Sequence, residues 1–205
     1  MLPRLAIDLT SEAADLSALY QDPVAQVVLE IGFGSGEHLI DEAKNHPHTG
    51  FIGVEPFVNG MAKALASIAD HRLHNIRVHH GDATELLGWL PDCSLAGIYL
   101  LYPDPWPKRR HWKRRFVQDQ SIAAMARILR PGAELRFATD VPDYADWTLN
   151  LLQRSPAFEW TAERAIDWSH PWPGFSGTRY EAKAERQGRK PCYLVFKKIG
   201  DKKPD

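Results

Sequence analysis

The segment PDPWPKRRHWKRR, residues 103–115, fixes an aspartate between two prolines and sets six positive charges behind it. Asp104 lies between Pro103 and Pro105, and Lys108, Arg109, Arg110, Lys113, Arg114 and Arg115 fall within eight positions. Proline fixes its own φ and restricts the residue before it, so this aspartate has little backbone freedom. Removing the six charges from the chain's formal total of −1 leaves −7 on everything else. A local basic patch on an acidic body suits one docking face for a polyanion, whereas diffuse attraction would need a basic whole. The bland alternatives are a solvated helix face or a disordered tail; apolar segments on both sides disfavour the tail. Trp106 and Trp112 either offer faces for base stacking or simply pack the loop.

A second group of residues could hold a small ligand. EIGFGSGE places Gly32, Gly34 and Gly36 after an apolar run and before a helical pattern, and glycine allows positive φ and close backbone approach. The dinucleotide fingerprint needs a glycine at position 37, where Glu37 stands. An acid there also opposes a pyrophosphate at a helix N-terminus. Glu30 before the loop suits a positively charged cofactor without phosphate. S-adenosylmethionine is such a cofactor and fits better than a nicotinamide. Its sulfonium and ammonium groups favour acidic surroundings, and its ribose hydroxyls suit Glu55, with Asp82 in reach of the adenine amino group.

The elements that must position these groups follow from periodicity. Strands are predicted at 27–31, 51–55, 75–82, 95–103, 133–140 and 193–198, and helices over about 36–45, 58–69, 116–129 and after Pro142. The 116–129 helix should stop before Pro131-Gly132. Continuous apolar strands alternating with helices predict an α/β fold, a doubly wound, mostly parallel sheet covered on both faces. Ligands bind outside the carboxyl ends of such strands. Glu30, Glu55, Asp82, Asp104 and Asp140 stand at or beyond five of those ends; each alone could be a helix cap. The stretch 167–177 reads as an ordered surface loop. One domain over 1–205 is expected, with a short N-terminal segment over 1–23 and a flexible tail over 199–205.

Other chemistries find no support. His71, His74, His79 and His80 lack metal-ligand spacing, and no metal is expected. Cys93 and Cys192 read as free thiols of a reducing cytoplasm. There is no G-x-S-x-G elbow, no membrane-length apolar run and no secretory signal pattern.

The segments LEIGFGSGEHL, FIGVEPF, NIRVHHGDA, YPDPWPKRRHWKRR, FATD and GTRYEAKAERQG together resemble the bacterial tRNA (guanine-7-)-methyltransferase family, from about Val27 to Lys198. The first is shared by class I methyltransferases generally; the fourth and last are specific to the family. The resemblance implies a seven-stranded class I sheet, S-adenosylmethionine as methyl donor, and methylation of a guanine in the tRNA variable loop in the cytoplasm. It implies that Glu30, Glu55, Asp82 and Asp104 line the cofactor site. Lys108, Asp140, Thr178, Arg179, Tyr180 and Glu181 would meet the substrate, and Arg110, His111, Trp112, Lys113, Arg114 and Arg115 would touch RNA. Many members carry a basic N-terminal extension, whereas only Arg4 is basic among the 26 residues before Val27. No membrane and no obligatory protein partner are expected. The alternatives are a class I methyltransferase for another RNA, a protein or a small molecule, or a catalytically silent tRNA-binding protein.

Guanine presents a ring N–H beside an amino group, and one carboxylate can accept both. Glu181 is the first choice for that acid and Asp140 the second; the bland reading pairs Glu181 with Lys183 or Arg179. The nitrogen to be methylated carries no proton, so no general base is needed. Asp104 would position the base and stabilise charge growing on the ring.

Overall fold

Each apolar run pairs with its neighbours in a computed structural model that describes residues 2–11 and 15–200. The strands are β1 (Gln26–Ile31), β2 (Thr49–Val54), β3 (Ile76–His79), β4 (Leu95–Leu101), β5 (Leu129–Thr139), β6 (Phe158–Trp160) and β7 (Cys192–Lys198). They form one sheet in the order β3-β2-β1-β4-β5-β7-β6. The first five in that order run parallel, and β7 pairs antiparallel with both β5 and β6. The helices are α1 (Leu2–Leu5), α2 (Glu37–Asn45), α3 (Val58–Asp70), α4 (Ala83–Trp89), α5 (Asp119–Ile128), α6 (Pro142–Arg154), α7 (Ile166–Ser169) and α8 (Arg179–Arg186). The described residues also include two 3-10 turns, Leu16–Leu19 and Arg109–Arg114.

Alternate residues of a strand face opposite sides of a sheet. Leu29 and Ile31 of β1 therefore join Ile98, Leu100, Leu135 and Phe137 on one face, packed with Leu86, Ile122, Met125 and Leu152 from α4, α5 and α6. Val28 joins Phe51, Tyr99, Leu101 and Ala138 on the other, under Leu39, Ala43, Met61, Ala64 and Ile68 of α2 and α3. β1 lies between β2 and β4, so the direction of winding reverses beside it. The crevice where ligands bind in open α/β sheets lies at that point.

Several boundaries differ from the sequence reading. α5 starts at Asp119 rather than near 116, because the Gln118 and Ser121 side chains cap each other's backbone N–H groups. β5 starts at Leu129, ahead of Pro131-Gly132, but its pairing with β4 shifts register there and becomes regular from Glu134. β3 ends at His79, so Asp82 lies beyond it and caps α4, accepting from Thr84 N–H at 2.7 Å. Glu30 is the penultimate residue of β1, where the strand read over 27–31 had put it. The 167–177 stretch lies mostly at the surface, as expected, but its first residues belong to α7 and Trp172 is buried, with its ring 4.8 Å from Phe175, 5.9 Å from Tyr193 and 6.1 Å from Tyr99. Of the expected C-terminal tail, residues 201–205 lie outside the described residues, as does part of the 1–23 segment. Among the described residues no helix is long and apolar enough to cross a membrane.

Candidate active site

The loop from β1 to α2 turns three times through left-handed backbone, at Gly32 (φ 72°), Gly34 (φ 60°) and Gly36 (φ 84°). A side chain costs energy at each, so the glycines are required by conformation. A Cβ on Gly32 would meet nothing within 4 Å, which leaves open space over the loop there. One on Gly36 would press on the Ala64 Cβ at 3.0 Å, so that glycine also lets α2 and α3 pack closely.

Glu55 follows β2 and turns back to this loop. Its Oε2 accepts from Gly34 N–H at 2.7 Å and its Oε1 from Phe57 N–H at 2.9 Å. The carboxylate is 3% exposed and has no ion-pair partner among the described residues. Each oxygen keeps further acceptor capacity. Glu30 lies buried on the sheet's α2 side, its Oε2 2.8 Å from His38 Nδ1. Burial pulls the His38 pKa down, but Glu30, through charge and hydrogen bond, and then Glu42 and Asp41 outweigh that effect and leave it raised. Open space, glycine backbone and two buried acids fit a cationic, hydroxyl-bearing ligand without phosphate. They fit S-adenosylmethionine on that ground.

Asp104 is exposed on the segment leaving β4. The residues flanking it are strained: Tyr102 (φ 50°) and Trp106 (φ 42°) adopt left-handed backbone, each directly before a proline. Both are held from outside. Tyr102 N–H donates to Ala138 O at 2.8 Å, and the Arg114 guanidinium lies 4.9 Å over the Trp106 ring. Arg115 contributes most. Its Nε donates to Pro105 O at 2.9 Å, its Nη2 pairs with the Asp143 carboxylate, and its guanidinium packs on Trp112, Tyr144 and Trp147 at 4.7, 4.9 and 5.2 Å.

Arg115 therefore corrects the sequence reading. Expected to touch RNA, it is 2% exposed and turned into the protein. Lys108, Arg109, Arg110, Lys113 and Arg114 stay exposed on the 3-10 turn, with His111 and Trp112 half-buried among them. Trp112 sits 5.4 Å edge-on to Trp147, and Trp106 lies 5.8 Å from His111. Protein groups thus pack against both tryptophans.

The Thr178–Glu181 segment reaches the glycine loop from the β7 end of the face that α2 covers. Thr178 caps α8 by accepting from Glu181 N–H. Arg179 Nη1 donates to Ser35 Oγ at 2.6 Å and its Nε is 3.9 Å from Glu37, while Tyr180 is exposed beside it. Glu181 is buried and accepts from the Tyr193 hydroxyl rather than pairing with Lys183 or Arg179. Asp140, just past β5, pairs with Arg189 at 2.5 Å. The structure brings Arg179 onto the loop carrying Gly34. Asp82 is exposed at the start of α4, held by its own cap. Sequence reasoning missed His38, Arg189, Tyr102 and Tyr193. The only local signal was Tyr102 standing directly before Pro103.

Comparison with known proteins adds kinship to this geometry. A family model described as "Putative methyltransferase" matches residues 24–194. A tRNA (guanine-N(7)-)-methyltransferase of Nitrobacter hamburgensis is 58% identical over 202 residues, 98% of this chain and 79% of its own length. Another from Bradyrhizobium diazoefficiens is 58% identical over 97% of this chain and 84% of its own length. Among solved structures, TrmN from Thermus thermophilus aligns with TM-score 0.60 at 16% identity, covering 89% of this chain and 46% of its own. An rRNA methylase from Streptococcus thermophilus gives 0.59 at 12%, covering 90% and 92%. These two share the fold alone, that of class I methyltransferases. Shared residues along nearly the whole length carry the closer kinship: the chain belongs to the tRNA (guanine-N(7)-)-methyltransferase family.

Proposed function

We propose that this protein transfers a methyl group from S-adenosylmethionine to nitrogen 7 of a guanine in the tRNA variable loop. One observation carries the reading. An exposed carboxylate, Asp104, stands on a strained proline-framed segment directly joined to an exposed basic turn, at the same end of the sheet as an acidic glycine loop. When bound, S-adenosylmethionine supplies a methyl group on a positively charged sulfur, ready for a nucleophile without prior activation.

The chain's own residues bind, orient and shield. Gly32, Gly34 and Gly36 let the backbone lie against the cofactor, Glu55 takes its ribose hydroxyls, Asp82 faces the adenine end, and Glu30 and Asp104 answer its positive charge. Lys108, Asp140 and the Thr178–Glu181 segment, with Arg179 and Tyr180, hold the base. Arg110, His111, Trp112, Lys113 and Arg114 contact RNA, the cations on phosphates. The guanine nitrogen already carries its lone pair, so no side chain removes a proton. Asp104 stabilises positive charge spreading over the ring. We place this work in the cytoplasm, in one domain.

Incubation with labelled S-adenosylmethionine and unmodified tRNA, followed by nucleoside analysis, tests the proposal. Label in 7-methylguanosine is expected; label on another base, or on protein alone, rejects it.

A further inference from the structure

Tyr102 carries a phenol hydroxyl that is buried and makes no well-formed hydrogen bond among the described residues, with the Tyr193 hydroxyl oxygen as the acceptor it leans towards. Leaving such a group poorly paired costs free energy, and pairing it with an incoming ligand recovers that cost. Its backbone is strained as well, at φ 50° before Pro103. Two unfavourable features at one residue point to a role outside folding.

The surroundings identify the ligand. Tyr102 N–H is bonded to Ala138 O, and Ala138 pairs across β5 and β7 with Tyr193. Tyr193 gives its hydroxyl proton to Glu181 Oε1, which leaves Oε2 free of that bond. Gly177 keeps space at that second oxygen, since a Cβ there would lie 2.9 Å from Oε2. Burial, then the charge of Glu181, then Tyr193 through its charge and a weak hydrogen bond towards it, and Asp140 hold the Tyr102 proton well above the ordinary phenol range, so it remains a donor that a better acceptor can draw away from Tyr193. A fixed hydroxyl donor thus stands beside a carboxylate acceptor. Guanine offers the complement, with the carbonyl oxygen at its position 6 adjacent to the ring N–H and amino group.

We propose that Tyr102 is a specificity-determining residue that donates its hydroxyl hydrogen bond to the position-6 oxygen of the target guanine while Glu181 accepts from the neighbouring N–H groups. The inference rests on the guanine reading above and deepens it. Adenine carries an amino group where guanine carries this oxygen, and so presents a donor to a donor. The hydroxyl also lies next to the nitrogen that receives the methyl group, because the two are neighbours on the same edge of the base.

Tyr102→Phe removes the hydroxyl and keeps the ring. Its kcat/KM for tRNA should fall roughly three- to tenfold, the range of one neutral hydrogen bond. Cofactor affinity by calorimetry should stay unchanged. The thermal midpoint should hold or rise, because a poorly paired buried hydroxyl has been removed. A transcript with inosine at the target keeps the position-6 oxygen and lacks the amino group. Tyr102→Phe should lose the same factor on it, whereas Glu181→Gln should lose less there than on guanine. Unchanged kcat/KM in Tyr102→Phe overturns the inference, as does a loss matched by lower cofactor affinity or a lower midpoint. If wild type places no methyl group on guanine nitrogen 7, the parent reading fails, and that shows before any variant is compared.

Discussion

At Asp104 the chain commits a charged side chain to solvent while straining the backbone on either side of it. If the charge stabilises the developing positive ring, Asp104→Ala should lower the single-turnover rate roughly a hundredfold and weaken tRNA binding far less. Asp104→Asn keeps the shape; a wild-type rate in that variant, with cofactor and tRNA saturating, excludes charge stabilisation. Glu55→Ala should do the opposite, weakening cofactor binding at least tenfold with tRNA affinity nearly unchanged, since each bond to a charged acceptor is worth about 1.5–3 kcal/mol. Calorimetry with S-adenosylmethionine decides it. The positions of both acids, just past β2 and β4, were legible from strand ends alone. His38 was not, because its partner Glu30 lies eight positions earlier across the glycine loop, and only that loop's three left-handed turns bring them together. Tyr102 was hidden for a related reason: its neighbours arrive through the antiparallel pairing of β7.

The basic run shows how an element redistributes what a sequence string lines up. Read linearly, positions 110 to 115 share one role. The 3-10 turn leaves Lys113 and Arg114 exposed and delivers Arg115, its C-cap, to the interior. The loop holding Asp104 and the exposed basic turn are thereby joined through a residue that is itself buried. Neutralising Arg110, Lys113 and Arg114 together should weaken tRNA binding and reduce its salt slope by about one unit for each phosphate left without its cation. An unaltered slope in a salt titration would show a merely solvated face. Arg115→Lys should behave differently. An ammonium cannot reach Pro105 O and Asp143 at once or lie flat on three rings, so a loss of roughly 2–3 kcal/mol in denaturant stability is expected. A stable Arg115→Lys protein would rule out the clamp. Short elements such as β6, α4 and the 3-10 turns escaped the sequence reading because three to seven residues carry too few periods to register.

Over the whole molecule, the parallel sheet was legible because its strands are continuous apolar runs. The covering of its second face was not, since Trp172 and Phe175 come from a Pro- and Gly-rich stretch with no period. That face contains the Glu30–His38 pair, packed against Tyr99 at 4.6 Å and Phe175 at 5.4 Å. Facing His38 are Glu30 from β1, Glu42 and Asp41 from its own helix, and these two rings. Its pKa in the folded protein lies above the ordinary 6.5, so the folded state holds the proton more tightly than the unfolded chain. The unfolded chain then binds fewer protons across the interval between the two values, and stability falls as pH rises through it. The contribution is fully present below about pH 6.5 and lost as pH passes the raised folded value. His38→Asn keeps a donor for Glu30 but cannot titrate. Denaturant midpoints of wild type and variant, measured from about pH 5.5 to 9, should therefore differ most at the acid end, with the wild-type advantage shrinking as pH rises. Parallel curves would mean that His38 sits neutral against Glu30.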